Sequence, residues 1–218
     1  RGIRCFVFSR MPERKGPADS VFILVDDPLH AMQALAEYHR NRFHYPVIGI
    51  TGSNGKTIVK EWLNHLLQDQ CRIVRSPKSF NSQIGVPLSV WQMNEDANLG
   101  IFEAGISTVG EMDRIAAIIR PDLGVFTNIG DAHSEGFSDS REKIREKLKL
   151  FTGSRTLIYC RDYQELDEEV RDFAARHEIT LFHWSREKGA VVYLVNQEQR
   201  DQHSFIHLRY QDKDYRFS

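Results

Sequence analysis

At 218 residues and 41% hydrophobic content, the chain is long enough to bury a sizeable core and too apolar to stay disordered. Its 29 lysines and arginines balance 30 acids without forming a basic block, which argues against a general nucleic-acid partner and favours a small phosphorylated one. Three widely spaced cysteines, Cys5, Cys71 and Cys160, suit neither a disulfide framework nor a zinc knuckle, and no apolar run approaches bilayer length; the expectation is a soluble cytoplasmic protein without membrane insertion.

The apolar runs at 3–8 and 21–25 read as short buried strands around a Pro-, Gly- and charge-rich loop. Asp26 or Asp27 can cap a helix with Pro28 in its first turn, running through Met32, Leu35 and Ala36 until Tyr45-Pro46 breaks the pattern. Residues 1–44 are therefore assigned to the end of an N-terminal domain and 45–218 to a central domain. From Val47 apolar strands alternate with helices: a helix after 51–57, strand 72–75, helix 87–93, strand 99–102, helix 110–119, strand 123–127, helix 140–151, strand 156–160, helix 164–177 and strand 180–184. This repetition specifies the α/β class, a mostly parallel sheet flanked by helices on both faces, with ligands gathered at the carboxyl ends of its strands. Beyond Gly189 the runs 191–195 and 204–210 predict antiparallel strands at one edge. The chain enters an apolar run at once and stops inside an alternating one, as a piece of a longer protein would.

Thr51-Gly52-Ser53-Asn54-Gly55-Lys56-Thr57 follows the apolar run Val47-Ile48-Gly49-Ile50 and precedes Ile58, Val59, Trp62, Leu63, Leu66 and Leu67 at helical spacing. That strand-loop-helix order is what a phosphate-binding P-loop requires. Glycines let successive amides face phosphate oxygens, the helix start adds positive field, Lys56 adds a full charge, and Thr57 offers a hydroxyl to Mg2+. Only two residues separate Gly52 from Gly55, so the loop is a short variant. Without the flanking pattern these would be ordinary turn glycines.

Further candidates lie where other strands end. Glu103 closes an apolar strand and is followed by Ala104-Gly105, which places a hard oxygen ligand where a nucleotide-bound Mg2+ needs one. His133, in Thr127-Asn128-Ile129-Gly130-Asp131-Ala132-His133, falls in a βα loop on the same rim, within reach of a second divalent ion. Taken singly, each is as well explained by a surface acid or a solvated histidine. In the helix 140–151, Ile144, Leu148 and Phe151 mark the buried stripe, with Lys143, Arg145 and Lys149 expected as solvent-facing charges; spacing alone does not single out Lys147. The loop Asn81-Ser82-Gln83-Ile84-Gly85-Val86-Pro87 offers small polar groups and free amides for phosphate contacts, or is a simple connection.

Together these segments resemble the ATP-dependent Mur ligases, which build the peptide of the bacterial cell-wall precursor, with good motif density from Gly2 to about Phe151. The 51–57 loop is similar to that family's short P-loop. The stretches 34–43, 81–87, 103–105 and 127–137 are most similar to its MurF branch, which joins D-alanyl-D-alanine to UDP-N-acetylmuramoyl-tripeptide (UDP-MurNAc-tripeptide). The wording of the motifs is nearest to the form fused to alanine racemase in some bacteria. The resemblance implies that Thr51 to Thr57, with Asn81 and Ser82, bind ATP, and that Thr57 and Glu103 hold the first Mg2+. It further implies that His133 holds a second ion and that Lys147, carbamylated by CO2, becomes an anionic bridge between them. Lys56, His133 and Lys147 would then be the catalytic set, acting by alignment and charge neutralisation while ATP activates the tripeptide carboxylate as an acyl phosphate.

The sequence departs from the family pattern in three ways. Ile58 stands where a second hydroxyl residue is usual, the stretch 138–145 is unusually charged, and neither the amine-binding C-terminal domain nor the start of the uridine-binding domain is within the chain. This piece alone is therefore expected not to turn over substrate. Competing readings are another Mur-type or folylpolyglutamate-type ligase, and a P-loop NTPase module without ligase activity.

Overall fold

The computed structural model describes residues 3–11, 13, 19–130, 136–200 and 203–218. Two five-residue strands lie in the interior of the sheet: β3 (Val47–Thr51) and β5 (Leu99–Glu103) are buried along their whole length, as strands covered on both faces must be. With β4 (Ile73–Arg75), β6 (Leu123–Phe126), β7 (Thr156–Cys160) and β8 (Thr180–Ser185) they form the parallel order β4-β5-β3-β6-β7-β8. The sheet then continues through β9 (Val192–Arg200), parallel to β8, and turns antiparallel at β10 (His203–Tyr210) and β11 (Lys213–Phe217). The mostly parallel sheet with an antiparallel edge therefore stands as expected.

Alternation of side chains along the strands divides the core in two. One face gathers Phe102, Phe126, Leu157 and Tyr159 with residues of α3 (Gly85–Val90), α4 (Glu111–Ile119), α5 (Ser140–Leu148) and α6 (Gln164–His177). The other face gathers Ile48, Ile50, Leu99 and Ile101 under Val59, Leu63 and Leu67 of α2 (Lys56–Leu67). Of the six apolar residues that give α2 its helical spacing, only these three face the sheet. Ile58, Trp62 and Leu66 are 60%, 67% and 69% exposed, each leaving unused most of the roughly 1.5–3 kcal/mol that full burial of a large apolar side chain provides.

Boundaries moved where local chemistry overrode the pattern. The helix expected over 87–93 starts two residues earlier, because Pro87 sits in the first turn of α3, where its missing N–H costs nothing. The expected 140–151 helix tightens into a 3-10 turn at Lys149–Phe151.

Helix α1 (Pro28–Arg40) is capped by Asp27, whose Oδ1 accepts from Leu29 N at 2.7 Å. It packs on α3 and α4. At its end the buried Arg40 donates to Phe43 O, Ile119 O and Arg120 O at 2.8, 2.9 and 3.2 Å. Upstream, β1 (Cys5–Phe8) pairs in parallel with β2 (Val21–Leu24) beneath a stack of Phe6, Phe8 and Phe22. No helix among the described residues is long and apolar enough to cross a membrane.

Candidate active site

The loop leaving β3 is held in shape by its neighbours. Thr51 Oγ1 donates to Ala104 O at 2.9 Å, fixing the end of β3 against β5. Gly52 follows at φ 140°, and a Cβ there would lie 2.0 Å from Thr127 Oγ1, so no other residue fits. The segment after β6 then braces the loop. Ser53 N donates to Asn128 O at 2.9 Å, Asn54 N to Asn128 Oδ1 at 3.0 Å, and Thr127 Oγ1 to Asn54 O at 2.6 Å. Ser53 Oγ both donates to Gly130 O and accepts from Gly130 N, at 3.1 and 3.0 Å. This bracing is a role for 127–130 that sequence reasoning missed, having weighed the segment for His133. Gly55, at φ 79°, turns the chain into α2. The amides of Gly55, Lys56 and Thr57 make no hydrogen bond among the described residues, and they sit at the positive end of α2, the arrangement that receives phosphate oxygens.

Three lysine side chains converge on the loop. Lys56 Nζ donates to Gly52 O at 2.8 Å and to Ser53 O at 3.3 Å. Burial lowers its pKa, the Glu103 carboxylate works against that, and Lys143 adds to it. Lys147, only 2% exposed, donates to the same Gly52 O at 3.4 Å. Burial, followed by repulsion from Lys56 and Lys143, brings its pKa down to about 7. Lys143 donates to Gly130 O at 2.6 Å and is likewise 2% exposed, which corrects the expectation of a solvent-facing charge. Arg145 and Lys149 do face outward, but in ion pairs with Glu169 and with Asp113 and Glu146. The positive charge of Lys56 and Lys147, gathered at the Gly52 carbonyl, suits an anionic ligand.

Glu103, with no exposed surface, supplies the opposite charge. Its Oε2 accepts from Thr57 Oγ1 at 3.0 Å and, at 3.5 Å, from Asn81 Nδ2. Its Oε1 stands 2.9 Å from Lys60 Nζ as a buried ion pair. A buried carboxylate whose Oε2 lies beside a threonine hydroxyl is a hard-oxygen set that suits Mg2+, and the residues present fit such an ion. Ser82 is spent locally: its Oγ accepts from Gly85 N at 3.2 Å at the start of α3. Asn81 therefore faces the site through Glu103, while Ser82 serves its own helix. His133 lies outside the described residues, and its role rests on the resemblance alone.

Lys60 and Lys143 were the omissions. Each carried a signal: Lys60 is three and seven residues before Leu63 and Leu67, and Lys143 directly precedes Ile144 and is four before Lys147, so both sit on inward faces. A cavity of about 610 Å³ would have misled, because it opens at the amino-terminal rim of the sheet between Arg40, Tyr45, Arg120, Asp122 and Lys149, away from the loop.

Fold and site together define a P-loop protein of the parallel α/β class with an anion site and a carboxylate at adjacent strand ends. The chain belongs to the Mur ligase family: the family model described as the Mur ligase middle domain matches residues 50–218. A Bacillus subtilis (strain 168) UDP-N-acetylmuramoyl-tripeptide--D-alanyl-D-alanine ligase is 40% identical over 150 residues, covering 67% of this chain and 33% of that protein. The chain thus spans about a third of the length of the curated relatives it matches. The MurF ligase of Thermotoga maritima in complex with ADP superposes with a TM-score of 0.81 at 24% identity, over 94% of this chain and 47% of that one. A Mycobacterium tuberculosis folylpolyglutamate synthase complexed with ADP and AMPPCP gives 0.66 at 13% identity, over 83% and 50%. At those identities the likeness shows a shared fold.

Proposed function

We propose that this chain is the ATP-binding part of a cytoplasmic, ADP-forming ligase that adds D-Ala-D-Ala to UDP-MurNAc-tripeptide in peptidoglycan precursor synthesis. The observation that carries the reading is the meeting of Lys56, Thr57, Glu103 and Lys147 on one rim of the sheet, in a chain whose relatives are named for that reaction. In this reading residues 1–44 are the end of the UDP-substrate domain and 45–218 the central domain. The alanine racemase fusion suggested by the motif wording is carried forward as an expectation, which the sequence following residue 218 tests.

Each side chain has a definable task. The amides of residues 55–57 and the Lys56 ammonium receive the β- and γ-phosphate oxygens of ATP and draw charge away from the phosphoryl group as it moves to the tripeptide carboxylate. In that step a bond forms between a carboxylate oxygen and the γ-phosphorus, the bond to the β-phosphate oxygen breaks, and ADP departs. The D-Ala-D-Ala amine then attacks the activated carbonyl, loses a proton, and phosphate leaves. Thr57 and Glu103 would hold Mg2+, which supplies charge neutralisation between the phosphates; His133 is the expected holder of a second ion. Lys147 has the property carbamylation needs. A neutral amine attacks CO2, forming an N–C bond and releasing a proton, and a pKa of about 7 keeps a large share of Lys147 neutral at physiological pH.

The test is phosphate release by the full-length enzyme. It should require both UDP-MurNAc-tripeptide and D-Ala-D-Ala; release without either substrate would replace the ligase reading with an NTPase module, and release with a folate and glutamate in place of both would point to a folylpolyglutamate-type ligase.

A further inference from the structure

Lys60 has no exposed side-chain surface, and it sits where the inward face of α2 otherwise carries leucine. Burying an ammonium is costly unless its protons are placed, so a methionine there would serve packing better. The contacts of Lys60 explain why a charge is kept. Nζ stands 2.9 Å from Glu103 Oε1 and 3.2 Å from Glu61 Oε1, donates to Ser76 O at 2.8 Å, and donates to Lys78 O. Two of these partners belong to the connection after β4. Within it Lys78 adopts φ 48°, an unfavourable conformation for a residue with a side chain, and the adjoining Ser79 Oγ lies 3.4 Å from Thr57 Oγ1. Ser76 Oγ also accepts from Glu103 N at 3.1 Å. Glu103, the 76–79 connection and the first turn of α2 therefore meet at one ammonium.

We propose that Lys60 is a positioning residue for the cation site, holding the Glu103 carboxylate so that Oε2 faces Thr57 and setting the 76–79 connection against the same threonine. The inference rests on Glu103 and Thr57 being the metal-holding side chains.

ADP titrations of the full chain, with Mg2+ and with a chelator, test this. The readout is the ratio of the two affinities, which a residue serving only as scaffold would leave unchanged even if both affinities fell. Lys60→Met should cut the ratio about ten-fold or more, the range found when partners that orient metal ligands are removed. Lys60→Gln keeps a donor for Ser76 O and guards against a misfolded methionine variant; it should lose the ratio too, with folding confirmed by circular dichroism. A wild-type ratio in either folded variant overturns the proposal. Glu103→Gln separates the two layers: if it also keeps the wild-type ratio, the metal-site reading itself fails, whereas loss in Glu103→Gln but not at Lys60 defeats the positioning role alone.

Discussion

Replacing Lys147 with methionine should make the protein more stable near neutral pH and flatten its dependence on pH. The side chain is 2% exposed, and burial, reinforced by Lys56 and Lys143, lowers its pKa from 10.5 to about 7. That gap corresponds to roughly 5 kcal/mol separating protonated Lys147 in the folded protein from the same group in the unfolded chain. The unfolded chain binds the extra proton between pH 7 and 10.5, so stability rises with pH across that window, by up to ~1.4 kcal/mol per pH unit. Below about pH 7 the whole penalty is present. Lys147→Met has similar length and no charge. Its expected advantage is a few kcal/mol at or below neutral pH, shrinking towards zero as pH approaches 10.5. Urea unfolding of both proteins at a series of pH values, in buffer freed of carbon dioxide, measures this directly. Parallel stability curves across that window would refute the argument, because they would mean that Lys147 titrates alike in the folded and unfolded chains.

Other changes probe the loop and its supports. Lys56→Met removes a charge-assisted contact to phosphate worth about 1.5–3 kcal/mol, so ADP affinity by calorimetry should drop between ten-fold and about a hundred-fold; an unchanged affinity would remove the P-loop assignment. Gly52→Ala forces a methyl to 2.0 Å from Thr127 Oγ1 at φ 140° and should cost at least ~2 kcal/mol in urea unfolding along with most nucleotide affinity. A neutral result there would contradict the loop geometry. Glu146, buried, accepts from Gly110 N at 2.7 Å and Met112 N at 3.2 Å and so caps α4; Glu146→Ala should cost roughly 1–3 kcal/mol and speed hydrogen exchange at those two amides, and unaltered exchange would refute the cap.

The fold was legible wherever the signal was local. Runs such as 47–51 and 156–160 are short, apolar and bounded by turn residues, and they became strands at nearly the expected limits. The loop at 51–57 was legible because its glycines, lysine and flanking elements are contiguous. What stayed hidden depends on residues brought together from far along the chain. Ile58 and Val59 are indistinguishable by spacing, yet only Val59 meets the sheet. Lys143 looked like its solvated neighbours in a charged helix until the backbone of Gly130 came within reach of its ammonium. Lys60 was hidden for the same reason, since nothing near position 60 announces that Glu103 will stand beside it. The role proposed for Lys147 came from resemblance; what the structure shows there is burial and like-charge crowding.

The fastening of α1 has a mechanical consequence. Gln33 is tied to Gln83 near the helix midpoint, and Arg40 grips the carbonyls at the close of α4, so this rod is riveted to the sheet body along its length. Rocking of β1 and β2 relative to the phosphate loop would have to bend the short link between Val25, whose N donates to Phe8 O, and Asp27, which caps α1.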